Sequence, residues 1–243
     1  MGEPADRPAF YALASGGWRD YWSLLHPPYT LWHLSYVVIG ACVAPVVDFG
    51  WLFETALAFF LAMGLAAHAL DELNGRPLRT RIPDGVLSAI AVVGLAGAFA
   101  LGIHGAIVVS PWLWVFIAVG GFLVVAYNLE LLGGAFHSDL WFALGWGAFP
   151  ALTAYFAQTA TIRAEAVLVA GACAALSAAQ RVLSTPVRRL RRKVATVTGE
   201  VVTTEGRREP IDASSLRAAP EGALRWLAVA VPLFAAALLV ARI

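Results

Sequence analysis

Residues 66–83 read AAHALDELNGRPLRTRIP and close a long apolar run. The run is dressed for lipid, yet it ends with His68, Asp71 and Glu72. It then breaks into Asn74-Gly75-Arg76-Pro77, with Arg79 and Arg81 close behind. On a helical projection Leu61, Gly64, Leu65, His68, Asp71 and Glu72 fall toward one face. A helix of this kind enters a bilayer at one end and meets polar chemistry at the other.

The whole chain fits that setting. Of its 243 residues 60% are hydrophobic and 14% charged. Soluble domains run about 45–50% apolar and about 25% charged. Mean hydropathy is +0.72. The composition predicts an integral membrane protein, so the net charge of +1 says less than where the charges lie. The first twenty residues are polar and mixed in charge, without the apolar core of a cleavable signal peptide. Cys42 and Cys173 both fall in apolar runs, where thiols pack as small hydrophobes.

A spanning helix needs roughly 20 apolar residues. Seven stretches qualify: 29–47, 51–70, 86–104, 110–127, 140–157, 164–183 and 223–241. The predicted class is all-α, a polytopic membrane bundle of about seven helices. Four pieces follow: a cytoplasmic N-terminal segment 1–28, a six-helix bundle 29–183, a basic loop 184–222 and a final helix 223–243. Within the loop, VATVTGEVVTTEGRREPID has β-branched pairs around Gly199 and Gly206 and reads as a small hairpin.

Basic residues orient the bundle. Arg7 and Arg19 precede the first helix; Arg76, Arg79 and Arg81 follow the second. The sixth connection holds Arg188, Arg189, Arg191, Arg192, Lys193, Arg207, Arg208 and Arg217. The opposite side has Arg163 and Arg242. This places the N-terminus in the cytoplasm, the C-terminus outside and the three long connections on one face, with a prokaryotic inner membrane as the expected location.

The cluster that closes the second helix has two readings. Carboxylates near a membrane are costly unless they face a wet cavity or a partner. Asp71 and Glu72 could hold Mg²⁺, which shares oxygen ligands with substrate phosphates, while nearby arginines take the remaining oxygens. Alternatively they balance Arg76 and Arg79 at a helix end. The run RRLRRK reads either as an anchor to anionic lipid or as a phosphate clamp. His33 and Tyr36 share a face with Tyr29 and suit core hydrogen bonding or pocket lining. Ala143, Gly147, Ala151 and Ala154 form a small-residue stripe of the kind that lets helices approach closely.

AHALDELNGRPLRTRIPDGVLSAI resembles the first acidic motif of the UbiA prenyltransferase superfamily. There an Asn-Asp-x-x-Asp run closes the second helix and an Arg-Pro-Leu loop follows. Asp71 matches the last Asp; Ala67 and His68 stand where the Asn and first Asp would be. SLLHPPYTLWHLSYVVIGA resembles the first helix of that family, with His26 in the place of an Arg. AYNLELLGGAFHSDLWFALGWGAFPALTAYFAQ resembles its fourth loop and fifth helix; Tyr127 matches, while Leu131 replaces a lysine. The resemblance covers roughly residues 19–190. The second acidic motif has no counterpart: ALSAAQRVLSTPVRRLRR offers Ser177, Gln180, Arg181, Ser184 and Arg188 instead. The usual nine helices are reduced to about seven.

The resemblance implies an intramembrane prenyltransferase. It would move a prenyl group from a prenyl diphosphate to a small or lipid acceptor at the cytoplasmic face. Asp71 and Glu72 would be catalytic and hold one Mg²⁺; His68, Arg76, Tyr127, Asn128, Asp139, Arg181 and Arg188 would bind substrate. Arg181 and Arg188 would take over from the missing second metal, with Arg191 and Arg192 left at the membrane surface. The alternative is a non-catalytic lipid-binding or carrier protein, or a membrane subunit, that has lost diphosphate chemistry; a terpene cyclase is a lesser reading. The implied partners are an isoprenoid diphosphate or other phosphorylated lipid and membrane lipid, with no nucleic acid.

Overall fold

The computed structural model describes residues 7–243. A short helix α1 (Trp18–Leu24) precedes seven longer ones. These are α2 (Pro27–Val43), α3 (Phe49–Leu73), α4 (Asp84–Val108), α5 (Leu113–Asn128), α6 (Asp139–Thr159), α7 (Ala164–Arg192) and α8 (Ala213–Val240). Five of them, α3, α4, α6, α7 and α8, are long and apolar enough to cross a membrane. The shorter α2 and α5 have 17 and 16 residues. The protein is an all-α membrane bundle, as the composition predicts.

Local chemistry sets the helix starts. Pro27 and Pro28 open α2, where a fixed φ helps and no backbone N–H is needed. Asp48 caps α3 by accepting the Trp51 N–H at 3.0 Å. Asp212 and Ser215 form a reciprocal capping box that starts α8. That box sits at Ala213 rather than near 223, and α7 runs to Arg192 rather than 183, so the basic loop shrinks to residues 193–212. Pro186 lies inside α7 without ending it. The expected hairpin is present: β1 (Glu200–Val202) pairs antiparallel with β2 (Arg208–Pro210).

Helix α2 sits centrally, against α3, α6, α7 and α8. Trp32, Tyr36, Val37 and Ala41 on it are fully buried. The small-residue stripe of α6 does what its composition suggests. A Cβ on Gly147 would lie 2.6 Å from the Cys173 carbonyl oxygen of α7, and one on Gly40 would lie 2.1 Å from that of Ala151. Neither approach tolerates a side chain. The outward faces carry exposed Phe53, Val92, Val93, Leu168 and Leu233, which lipid rather than water suits. Exposed Trp18, Tyr21 and Trp22 on α1 are the aromatic residues of a membrane–water boundary.

Two wide π-helical stretches interrupt the spans, Phe60–Ala67 in α3 and Ala143–Ala148 in α6. Such stretches recur at functional sites because the extra residue re-aims the side chains that follow. Here the first runs directly into His68 and the second contains Trp146.

Candidate functional site

The N-terminal segment, the 74–83 connection, the 129–138 connection and the end of α7 meet at one end of the bundle. Hydrogen bonds stitch them: Arg81 N–H to Asp20 at 3.0 Å, Asn74 Nδ2 to the Asn128 carbonyl at 3.1 Å, and Arg192 Nε to the Pro8 carbonyl at 3.2 Å. Between them opens a cavity of about 880 Å³. Its walls bring together His68, Asp71, Arg76, Tyr127, Asn128, Arg181 and Arg188, seven of the nine residues singled out in the sequence. Glu72 and Asp139 are outside it.

Glu72 corrects the reading of paired carboxylates. It is 1% exposed, and its carboxylate accepts the backbone N–H groups of Leu78 (2.9 Å) and Thr80 (2.8 Å) and the Thr80 hydroxyl (2.9 Å). Neighbouring helix residues point about 100° apart, so Asp71 faces the cavity while Glu72 faces the loop. Glu72 shapes that loop and does not line the cavity beside Asp71. Asp139 also stands back: it is bound to Arg181 Nε at 2.7 Å and leaves the cavity wall to the guanidinium. Arg76 lines the cavity but is anchored to Asp84 and to the Ile82 carbonyl (2.6 Å). Asn128 spends its amide on the Val124 carbonyl at 2.7 Å.

Charge on the walls is lopsided. Arg76, Arg79, Arg181, Arg188, Arg189, Arg192 and Lys193 face Asp71 and Glu130. Arg188 has no acidic partner among the described residues; its side-chain bond is to the Thr185 hydroxyl at 3.4 Å. Arg181 is bound by Asp139 and lies 5.5 Å from the Phe142 ring centre. The basic run therefore divides by function. Arg188, Arg189 and Arg192 line the cavity, whereas Arg191 is buried in a bidentate pair with Glu221 at 2.8 Å. This corrects the assignment of Arg191 and Arg192 to the membrane surface.

Sequence reasoning noted His26 only as standing in the place of an Arg, and it passed over Tyr11. His26 begins α2 and stacks on His68 with ring centres 4.1 Å apart. The Tyr11 hydroxyl and His26 Nδ1 share a hydrogen bond of 2.8 Å, which ties the N-terminal segment to the start of α2. Burial, then the His68 ring and the Arg192 and Arg188 charges, hold His26 well below the ordinary imidazole range. Burial pushes the Tyr11 hydroxyl up, which keeps it a donor.

An apolar cleft of about 120 Å³ adjoins the cavity, walled by Phe59, Met63, Phe99, Phe149 and the glycines 120 and 121. Trp146 stands in the wall of both spaces. A charged chamber beside a greasy slot is a shape for an amphiphile. A resident Mg²⁺ fits poorly. Among the described residues no three His, Cys, Asp or Glu side chains converge, and Asp71 and Glu130 are two acids amid seven cations. That field draws anions and repels a divalent cation. No family model, curated protein or solved structure matches the chain.

Proposed function

We propose that the cavity takes the phosphate end of an isoprenoid diphosphate and that the protein transfers the prenyl group to an acceptor at the cytoplasmic face. The observation that carries the phosphate part is the excess of cations over carboxylates beside an apolar cleft. Guanidinium groups stay charged and fork onto phosphate oxygens. Arg188, without an acidic partner, is the most available of them; Arg181 must share itself with Asp139. The prenyl chain would run past Trp146 into the cleft.

The transfer part rests on the resemblance to UbiA prenyltransferases, and the same resemblance supports a seven-span UbiA-like topology. The carbon–oxygen bond to the diphosphate would break and the diphosphate would leave onto the arginines. The acceptor would bond to the allylic carbon and give up a proton. Developing cationic charge on that carbon would meet the ring faces of Phe142, Trp146 and Tyr127. With a donor set that does not suit Mg²⁺, the counter-charge in this scheme is arginine alone.

The turn of Glu72 away from the cavity and the scarcity of acids on its walls favour a second reading, a carrier that holds the lipid without reacting it. Incubation with radiolabelled farnesyl diphosphate and an extract of membrane lipids separates the two. Label moved to a new lipid supports transfer; label recovered only as bound farnesyl diphosphate supports the carrier.

A further inference from the structure

One wall of the cavity is built from chain that precedes the bundle. Pro8, Ala9, Phe10 and Tyr11 line it, in a stretch, residues 7–15, that is neither helix nor strand. The apolar side chains this stretch buries are small: Pro8, Ala9 and Ala12. Its Phe10 ring meets Tyr29 edge-on, with ring centres 6.1 Å apart, and the Arg225 guanidinium lies 5.2 Å from the Phe10 centre. Little apolar area lies under such a segment, and segments of that kind open locally long before the protein unfolds.

Polar ties hold it instead. Arg191 Nη1 donates to the Arg7 carbonyl and Arg192 Nε to the Pro8 carbonyl, both at 3.2 Å. The Leu13 N–H donates to the Ser23 hydroxyl oxygen at 3.0 Å, and Tyr11 shares its hydrogen bond with His26. From Gly16 onward the chain is pinned differently. The Gly16 N–H donates to one Asp20 oxygen at 3.0 Å, and the other Asp20 oxygen takes the Arg81 N–H at 3.0 Å, which fixes this point to the 74–83 connection. Gly16 and Gly17 have φ of +125° and +63°, a turn that glycine makes without strain, and no atom lies within 4 Å of where a Cβ would stand. An anchored residue, an open glycine turn and a segment held by a few side chains make a hinged strap.

The strap and the cavity share Arg192, which lines the cavity and ties Pro8. A backbone carbonyl has no net charge and offers one oxygen. A phosphate carries full negative charge and can take two guanidinium N–H groups at once. A phosphate in the cavity therefore competes with Pro8 for Arg192. We infer that residues 7–15 are a strap that undocks by turning at Gly16-Gly17, and that an anionic headgroup in the cavity releases it by drawing Arg192 off the Pro8 carbonyl. The inference rests on the cavity being an anion site, as proposed above, and it adds how occupancy of that site is coupled to the opening of its wall.

The test follows backbone amide exchange by mass spectrometry on the full chain in nanodiscs, with farnesyl diphosphate and farnesol as probes. The diphosphate speeds exchange over residues 8–15 by about tenfold, the scale of one hydrogen bond to a charged group. It leaves residues 16–22 as they were, and farnesol changes neither segment. Arg192→Gln shows the faster exchange with no probe added and no further response to the diphosphate. Alkylation by a water-soluble maleimide gives a second readout. Ala12→Cys, at a position 1% exposed, reacts faster once the diphosphate is present, whereas Ala14→Cys, exposed from the outset, reacts at one rate throughout. Diphosphate that binds by calorimetry yet leaves residues 8–15 protected overturns the strap and leaves the anion site standing. An equal response to farnesol overturns release by the anion, and faster exchange spreading through residues 16–22 overturns the hinge. Diphosphate that does not bind overturns the anion site and the release with it, while Arg192→Gln still decides whether this arginine holds the strap. If Arg192→Gln fails to fold, the response of the unaltered protein reads the same.

Discussion

Glu72 Oε1 accepts both the backbone N–H of Thr80, at 2.8 Å, and the Thr80 hydroxyl, at 2.9 Å. The carboxylate thus replaces the backbone partners that the 74–82 loop lacks after α3 ends. That loop presents Arg76 and Arg79 to the cavity, both with positive φ (54° and 57°), so its shape depends on something holding it.

Glu72→Gln removes one charged acceptor and leaves a neutral amide among donors. It should destabilise the protein by about 1–3 kcal/mol and speed tryptic cleavage at Arg76 and Arg79. Thermal unfolding and timed proteolysis in detergent measure both. Unchanged stability, with a loss of metal-dependent binding, would return Glu72 to a ligand role.

Arg191 and Glu221 make a bidentate pair with side chains 3% and 7% exposed. Arg191 NH1 also reaches the Arg7 carbonyl at 3.2 Å, so α7, α8 and the N-terminal segment share one clamp. Removing one partner of a buried pair strands the other, and Arg191→Ala should cost about 3–5 kcal/mol. Arg191→Met with Glu221→Leu should recover most of it. Unfolding by titrated denaturing detergent reads the difference; a harmless Arg191→Ala would place this arginine at the membrane surface after all.

His26 is hydrogen-bonded to Tyr11 and stacks on His68, with Arg192, Arg188 and His33 also acting on it. Its folded-state pKa lies below the ordinary 6.5, so the unfolded chain binds the proton more readily. Stability from this group is full above pH 6.5 and is lost as the pH falls through 6.5 toward the folded value. Melting temperature should drop between pH 7 and pH 5, and His26→Gln should flatten that slope. A slope left intact by the substitution would assign the acid sensitivity elsewhere.

Hydropathy was enough to read the bundle because lipid-facing residues are apolar over whole helices, and the small stripe around Gly147 announced close packing. The boundaries of α7 and α8 were harder. Pro186 and Pro220 lie inside α7 and α8, and neither ends its helix. Seven of the nine site residues line one cavity: five are ionisable groups at helix ends, and Tyr127 and Asn128 came from the family resemblance. Glu72 and Asp71 lie about 100° apart on the helix, and the face alone did not reveal that the Leu78 and Thr80 backbone would take up the Glu72 carboxylate. His33 was ambiguous for a plainer reason: its partner Gln180 lies 147 residues away, and no local pattern reveals which ring nitrogen that partner leaves bare.

Chelation should leave lipid binding intact, since arginines rather than a metal supply the counter-charge. Farnesyl diphosphate affinity measured with and without EDTA should agree within about twofold. A dependence on Mg²⁺ would mean that Asp71 ligates metal despite its cationic neighbours.

The most direct measurement is calorimetry of farnesyl diphosphate and farnesol, side by side, on the purified protein and on Arg188→Ala. Arg188 faces the cavity with no acidic partner among the described residues, so its loss removes charge without breaking an ion pair. A hydrogen bond to a charged group contributes about 1.5–3 kcal/mol, so Arg188→Ala should weaken the diphosphate by about ten- to a hundredfold and leave farnesol unchanged. Equal losses for both ligands, or no loss for either, would contradict a phosphate clamp at this end of the bundle.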